Sequence, residues 1–168
     1  MKWAIIILIM LSLLGSMMWA LPSQRQRFQA ELRRLASQKG FTVQVVRLTP
    51  PRGAGQIEQE SYMTTAYQLP RFNLAKGERE TFRSWQVSRQ TTVANEGLPL
   101  GWSWAAGERQ LATDQLELLA ELIDVLPDGI NSIESTPVHF SVYWDEKGPL
   151  ETLDQLKAQM QKVIDRKF

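Results

Sequence analysis

The chain contains no cysteine. Disulfides, thiolate metal ligands and a cysteine nucleophile are therefore excluded. It has one histidine, His139, which excludes a metal centre built from several imidazoles. It has no Gly-x-Ser-x-Gly elbow, no glycine-rich loop ending in Gly-Lys-Ser/Thr, and no Gly-x-Gly-x-x-Gly behind a strand. A serine-hydrolase nucleophile of that type and the common phosphate cradles are thus missing. The expected cofactor is none. Carboxylates remain, as Asp145-Glu146 and as Glu78-Arg79-Glu80. Acid–base catalysis needs two such groups converging in a cleft, and solvated surface acids are the ordinary outcome. No catalytic residue and no metal ligand is assigned.

A basic folded body is lacking too. The net charge is +1, unevenly spread. Arg25, Arg27, Arg33, Arg34 and Lys39 face only Glu31 between Pro22 and Lys39. From Gly40 onward 13 bases meet 17 acids. A body of that balance argues against nucleic acid as a partner, because phosphate binding requires positive charge.

What the sequence does hold begins at Trp3. The run Trp3 to Leu21 has 19 residues and no charge. As a helix it would reach about 28 Å, near the roughly 30 Å of a bilayer's hydrocarbon core. A small-x-small cleavage site is wanting, since Met18 stands where a small residue belongs. The run is therefore expected to be an uncleaved anchor, residues 1–21. The bases that follow predict a cytoplasmic body and an outer amino terminus, by the positive-inside rule. The expected location is a bacterial inner membrane, crossed once. Ser12, Gly15, Ser16 and Ala20 are small residues at near-helical spacing. They are either ordinary membrane-helix composition or a face for another membrane protein.

Pro22-Ser23 opens a second element, with Ser23 as cap. Phe28, Leu32 and Leu35 recur at helical spacing through residues 22–39. The arginines Arg25, Arg27, Arg33 and Arg34 take other positions. This basic juxtamembrane helix either packs as the first helix of the body or meets anionic lipid.

Residues 40–168 read as a cytoplasmic α+β domain. Strands are expected over 41–48, 62–69, 81–93, 130–135 and 138–144, from β-branched and aromatic alternation. In the last, Val138, Phe140, Val142 and Trp144 share one face, and His139, Ser141 and Tyr143 the other. Helices are expected over 113–126 and 150–167, where leucines and other apolar residues form one broad stripe. The whole is α+β: an N-terminal transmembrane helix, then an antiparallel sheet of about five strands with about three helices packed on it. Gly97 to Gly107 holds Trp102 and Trp104 among glycines and a proline. It reads as an irregular loop, either folded onto the core or exposed for a partner.

Leu21-Pro22-Ser23-Gln24-Arg25-Gln26-Arg27 behind an apolar run resembles the start of the YajC family, the single-span accessory subunit of the bacterial preprotein translocase. The resemblance covers residues 1–39. Beyond it, Gly40-Phe41-Thr42-Val43 stands where that family carries Lys-Gly-Asp-x-Val. The resemblance implies a non-enzymatic accessory role. The expected function is a membrane-anchored accessory or scaffold protein whose α+β domain meets a membrane complex or cytoplasmic partner. The bilayer itself is a partner in that reading. The alternative is a tethered small-ligand sensor or enzyme with a pocket around Trp102, Trp104, Trp144 and Asp145.

Overall fold

The computed structural model describes residues 2–19, 23–53, 55 and 57–168. The chain divides into two compact units, Met1–Leu32 and Arg33–Phe168. The boundary falls inside a helix rather than at a loop.

The first unit holds helix α1 (Lys2–Trp19) and the start of α2 (Gln24–Gln38). Ser23 caps α2 as expected. Its backbone N–H donates to Gln26 Oε1 at 2.8 Å, and the Gln26 N–H returns to Ser23 Oγ at 3.3 Å.

The expected transmembrane anchor over 3–21 is overturned. Among the described residues no helix is long and apolar enough to cross a membrane. Helix α1 has 18 residues, about 27 Å at 1.5 Å per residue, and that length includes the charged Lys2. The 19-residue charge-free run is not contained in one described helix. The single-pass inner-membrane location, with its outer amino terminus and cytoplasmic body, rested on that anchor and falls with it.

The second unit is built on one six-stranded antiparallel sheet. Its strands are β1 (Thr42–Leu48), β2 (Tyr62–Pro70), β3 (Trp85–Ser88), β4 (Ser103–Ala106), β5 (Ile130–Ser135) and β6 (His139–Trp144). They lie in the order β1-β2-β6-β5-β3-β4. The pairing register sorts the side chains into alternating rows. Tyr67, Val142, Ile133, Val87 and Trp104 stand side by side across five strands. So do Leu69, Phe140, Ser135 and Trp85. The rows between them are small and polar. One runs Gln44, Ala66, Tyr143, Ser132, Ser88, Ser103, and the next Gln68, Ser141, Glu134, Gln86, Ala106.

The aromatic face is the one the helices cover. Helix α5 (Thr152–Asp165) packs on β2, and α4 (Thr113–Val125) packs on α5. Leu153, Leu156, Met160, Val163 and Ile164 of α5 are buried, as are Leu119, Leu122 and Ile123 of α4. Edge-on contacts link Tyr67 to Trp144, and Trp85 to both Trp104 and Phe140. On the opposite face hydroxyls satisfy one another. Ser88 Oγ and Ser132 Oγ are 3.0 Å apart, and Tyr143 donates to Glu134 at 2.6 Å. His139 is half-buried on that face, with Ser141 Oγ 3.0 Å from its Nδ1.

Two elements depart from expectation. Ser103–Ala106 is a strand inside the segment read as a loop. Its bracketing glycines, Gly101 (φ 85) and Gly107 (φ 81), are turn residues at its two ends. A Cβ on Gly107 would lie 2.6 Å from Trp85 Cβ, so the strand docks there only on glycine. Lys76–Thr81 is a short helix, α3, beyond the helices expected. The Ala75 N–H donates to Glu78 Oε2 at 2.7 Å and starts it.

Candidate interaction site

Strand β1 ends the sheet and has β2 on one side only. Its seven residues are rich in valine, a side chain suited to a pleated surface. On the helix-covered face of the sheet, cover gives out before this corner. Val45 is 54% exposed and Met63, on β2, is 60% exposed. Arg47, paired in register with Met63, is exposed beside them. An uncovered edge strand with apolar neighbours is a template for another strand.

The tryptophan segment is not such a surface. Trp102 and Trp104 are buried, and Trp104 Nε1 donates to the Glu96 carbonyl at 2.9 Å. Arg89 lies 5.4 Å over the Trp102 ring. Trp144 is buried against Tyr67, and Asp145 is occupied by Asn131 and Lys147. None of these four residues lines a cavity beside α5 or the residues that follow it.

The remaining expected positions separate. Ser12 and Gly15 are exposed on α1, with nothing within 4 Å of a Cβ placed on Gly15. The Ser16 side chain and Ala20 lie outside the described residues. Arg25, Arg27 and Arg34 are exposed. Arg33 is not, because it enters the body.

There Arg33 meets Glu146. Its Nε and Nη2 donate to the two carboxylate oxygens at 2.6 and 2.8 Å, and Nη2 also reaches Thr65 Oγ1 at 3.1 Å. Tyr67 OH donates to Glu146 Oε1 at 2.9 Å. The Glu146 side chain is 2% exposed and that of Arg33 38%. Glu146 sits at φ 60, in the left-handed region that disfavours a side chain bearing Cβ. The forked pairing holds it there. The hydrogen bond to Glu146 raises the Arg33 pKa above its ordinary value. Burial, then the Glu146 charge, raises Tyr67 far above the usual phenol range. Nothing in the local sequence marks Glu146 as buried. Every polar partner it has comes from another element.

Three open cavities border α5 or the residues that follow it. One of about 330 Å³ lies between α4 and α5, lined by Leu118, Leu122, Val125, Val163 and Phe168 among others. A second, about 290 Å³, is lined by Leu74, Phe82, Leu111, Lys167 and Phe168 among others. A third, about 230 Å³, lies beside Pro70, Phe72 and Lys157. Among the described residues no group of three or more His, Asp or Glu side chains is placed to hold a metal ion.

No family model, no curated protein and no solved structure matches the chain.

Proposed function

We propose that the protein is a non-enzymatic accessory protein that attaches to a lipid surface and presents its α+β body to a protein partner. The observation that carries the reading is helix α1. Trp3, Ile5, Ile6, Ile7, Leu8, Ile9, Met10, Leu11, Leu13 and Leu14 are each at least half exposed. A helix apolar on every side is not left facing water, because that much greasy surface demands a nonpolar environment. Exposed Arg25 and Arg27 favour anionic headgroups at the same surface. The partner face is the β1 edge, which suits an extended segment with apolar residues at alternate positions.

Flotation of the full chain with lipid vesicles tests the attachment. The protein is expected to float with neutral vesicles, and more completely with anionic ones. Ile6→Glu with Leu13→Glu is expected to leave it at the bottom of the gradient. A wild-type chain that stays at the bottom with both vesicle types overturns the reading. Loss of a copurifying protein in Val45→Lys/Met63→Lys, with the fold intact by circular dichroism, tests the edge. Unchanged copurification removes it.

A further inference from the structure

The alternation of β2 runs on past the end of the strand. Leu69 and Arg71 are buried, whereas Pro70 and Phe72 are exposed, Phe72 at 82%. A single exposed ring is ordinary. This one stands on the wall of the 230 Å³ cavity. Pro70 gives that cavity a second rigid, apolar wall, and the buried Leu69 and Ile164 add aliphatic surface.

The charges of the cavity are all of one sign. Lys39, just after α2, and Lys157, on α5, both line it, and no carboxylate does. Lys157 Nζ donates to the Lys39 carbonyl at 2.6 Å, which satisfies one open carbonyl at the end of α2. An ammonium carries three donors, and among the described residues Lys157 has no acidic partner. Lys39 pairs with Asp154, whose side chain is 65% exposed and forms no part of the lining. The other two cavities differ. Glu121 and Asp165 offset Lys162 and Arg166 in the larger one, and Glu78 lines the second together with its own partner Lys167. Only the cavity at Phe72 joins flat apolar walls to unbalanced positive charge, among the three. Its volume falls below the roughly 300–1,000 Å³ of sites for drug-sized ligands, so it suits a compact molecule.

We propose that this cavity binds a small aromatic carboxylate, with its ring against Phe72 and Pro70 and its charge toward Lys157 and Lys39. The site lies wholly in the second unit. It depends on neither the lipid attachment nor the β1 edge.

Three probes separate ring from charge in the full chain, with dissociation constants read by ligand-observed NMR. Phenylacetate has both features, 2-phenylethanol keeps the ring without the charge, and cyclohexylacetate keeps the charge without the flat ring. Phenylacetate is expected to bind about fivefold more tightly than the alcohol, the gain from two part-exposed charge pairs. High salt is expected to narrow that gap. Lys157→Gln is expected to close it by weakening the acid alone, and Lys39→Gln serves the same comparison where Lys157→Gln fails to fold. Phe72→Ala changes an exposed position, so the fold is expected to persist. It should bring phenylacetate and cyclohexylacetate to equal affinity. Equal binding of acid and alcohol by the wild-type chain shows a plain apolar crevice and overturns the proposal. So does an acid preference that survives the lysine substitutions, a ring preference that survives Phe72→Ala, or no binding of phenylacetate at millimolar concentration.

Discussion

Two arginines enter the helix-covered side of the sheet, and they are treated differently. Arg33 arrives from α2 and finds a carboxylate in bidentate geometry, a hydroxyl and a solvent-facing side. Arg71 follows directly on β2 and finds the Ser135 hydroxyl, the Phe168 main-chain oxygen and the Phe82 ring, almost wholly out of solvent. Their proton affinities diverge accordingly, raised for Arg33 and lowered to about 10 for Arg71. The difference teaches that burial of a cation is not one structural role. At Arg33 the fold has completed the pairing, which serves to fix a helix and a strained turn. At Arg71 the contacts are one hydroxyl, one main-chain oxygen and a ring, and Nε and Nη1 have no hydrogen-bond partner.

The comparison breaks most sharply under substitution by methionine. Arg33→Met strands Glu146 as a buried carboxylate at a left-handed backbone position. A loss of about 3 kcal/mol is expected in urea unfolding, since removing one partner of a buried pair costs far more than the pair's net worth. Tyr67→Phe removes one donor from the same carboxylate and should cost about 1 kcal/mol. Arg71→Met removes a buried cation whose Nε and Nη1 have no hydrogen-bond partner. It is expected to change stability by less than about 1 kcal/mol, with either sign, because a matched apolar side chain ends an unpaid desolvation. Similar large losses at both arginines would erase the distinction.

Alkaline titration sharpens it further. The folded Arg71 value, about 10, lies below the ordinary guanidinium range that holds in the unfolded chain. Between them the unfolded chain holds the extra proton, so this group makes stability rise with pH. Tyr67 and Tyr143 act the other way. Burial raises both above the ordinary 10.0, so their contribution is complete below pH 10 and is lost as pH climbs toward their folded values. Stability measured above pH 10 should therefore fall less steeply in Tyr67→Phe and more steeply in Arg71→Met. The smallest effect belongs to the surface pair Lys167–Glu78. The hydrogen bond from Lys167 lowers the Glu78 pKa. That contribution is present above the ordinary 4.5 and lost as pH falls through the folded value. Lys167→Ala should remove it with little change at neutral pH, as salt does to exposed pairs.

How much of this was legible in the chain depends on how local each feature is. The α4 and α5 stripes and the alternation through Phe140, Val142 and Trp144 announce themselves, because each element carries its own apolar period. Ser23 and Gln26 mark a helix start at three-residue spacing. Strand β4 was hidden because four residues between two turn glycines show no period. The charge-free run before Leu21 was overread as a spanning helix, since composition does not show where a helix ends. Among the arginines of 22–39, nothing distinguishes Arg33 from Arg34 until the sheet brings Glu146 to one of them. Arg71 and Phe168 stand far apart in sequence, and neither carries a motif. Paired and unpaired cations look alike before folding. That is why the pairing of Arg33 could not be read in advance, whereas strand β1, with its three valines, could.

The strand order carries a consequence for how the protein comes to exist. Strand β2 pairs on its inner side with β6, Thr65 against Trp144 and Pro70 against His139. During synthesis the β1–β2 hairpin emerges long before β6 does. Until β6 is made, the hairpin has two open edges instead of one, and Tyr67, though paired with Val43, lacks Val142 and Glu146. Contacts between segments so distant in the chain also form slowly. The nascent first half thus exposes an unpaired strand edge, and the ribosome must release most of the chain before the central seam of the sheet can close.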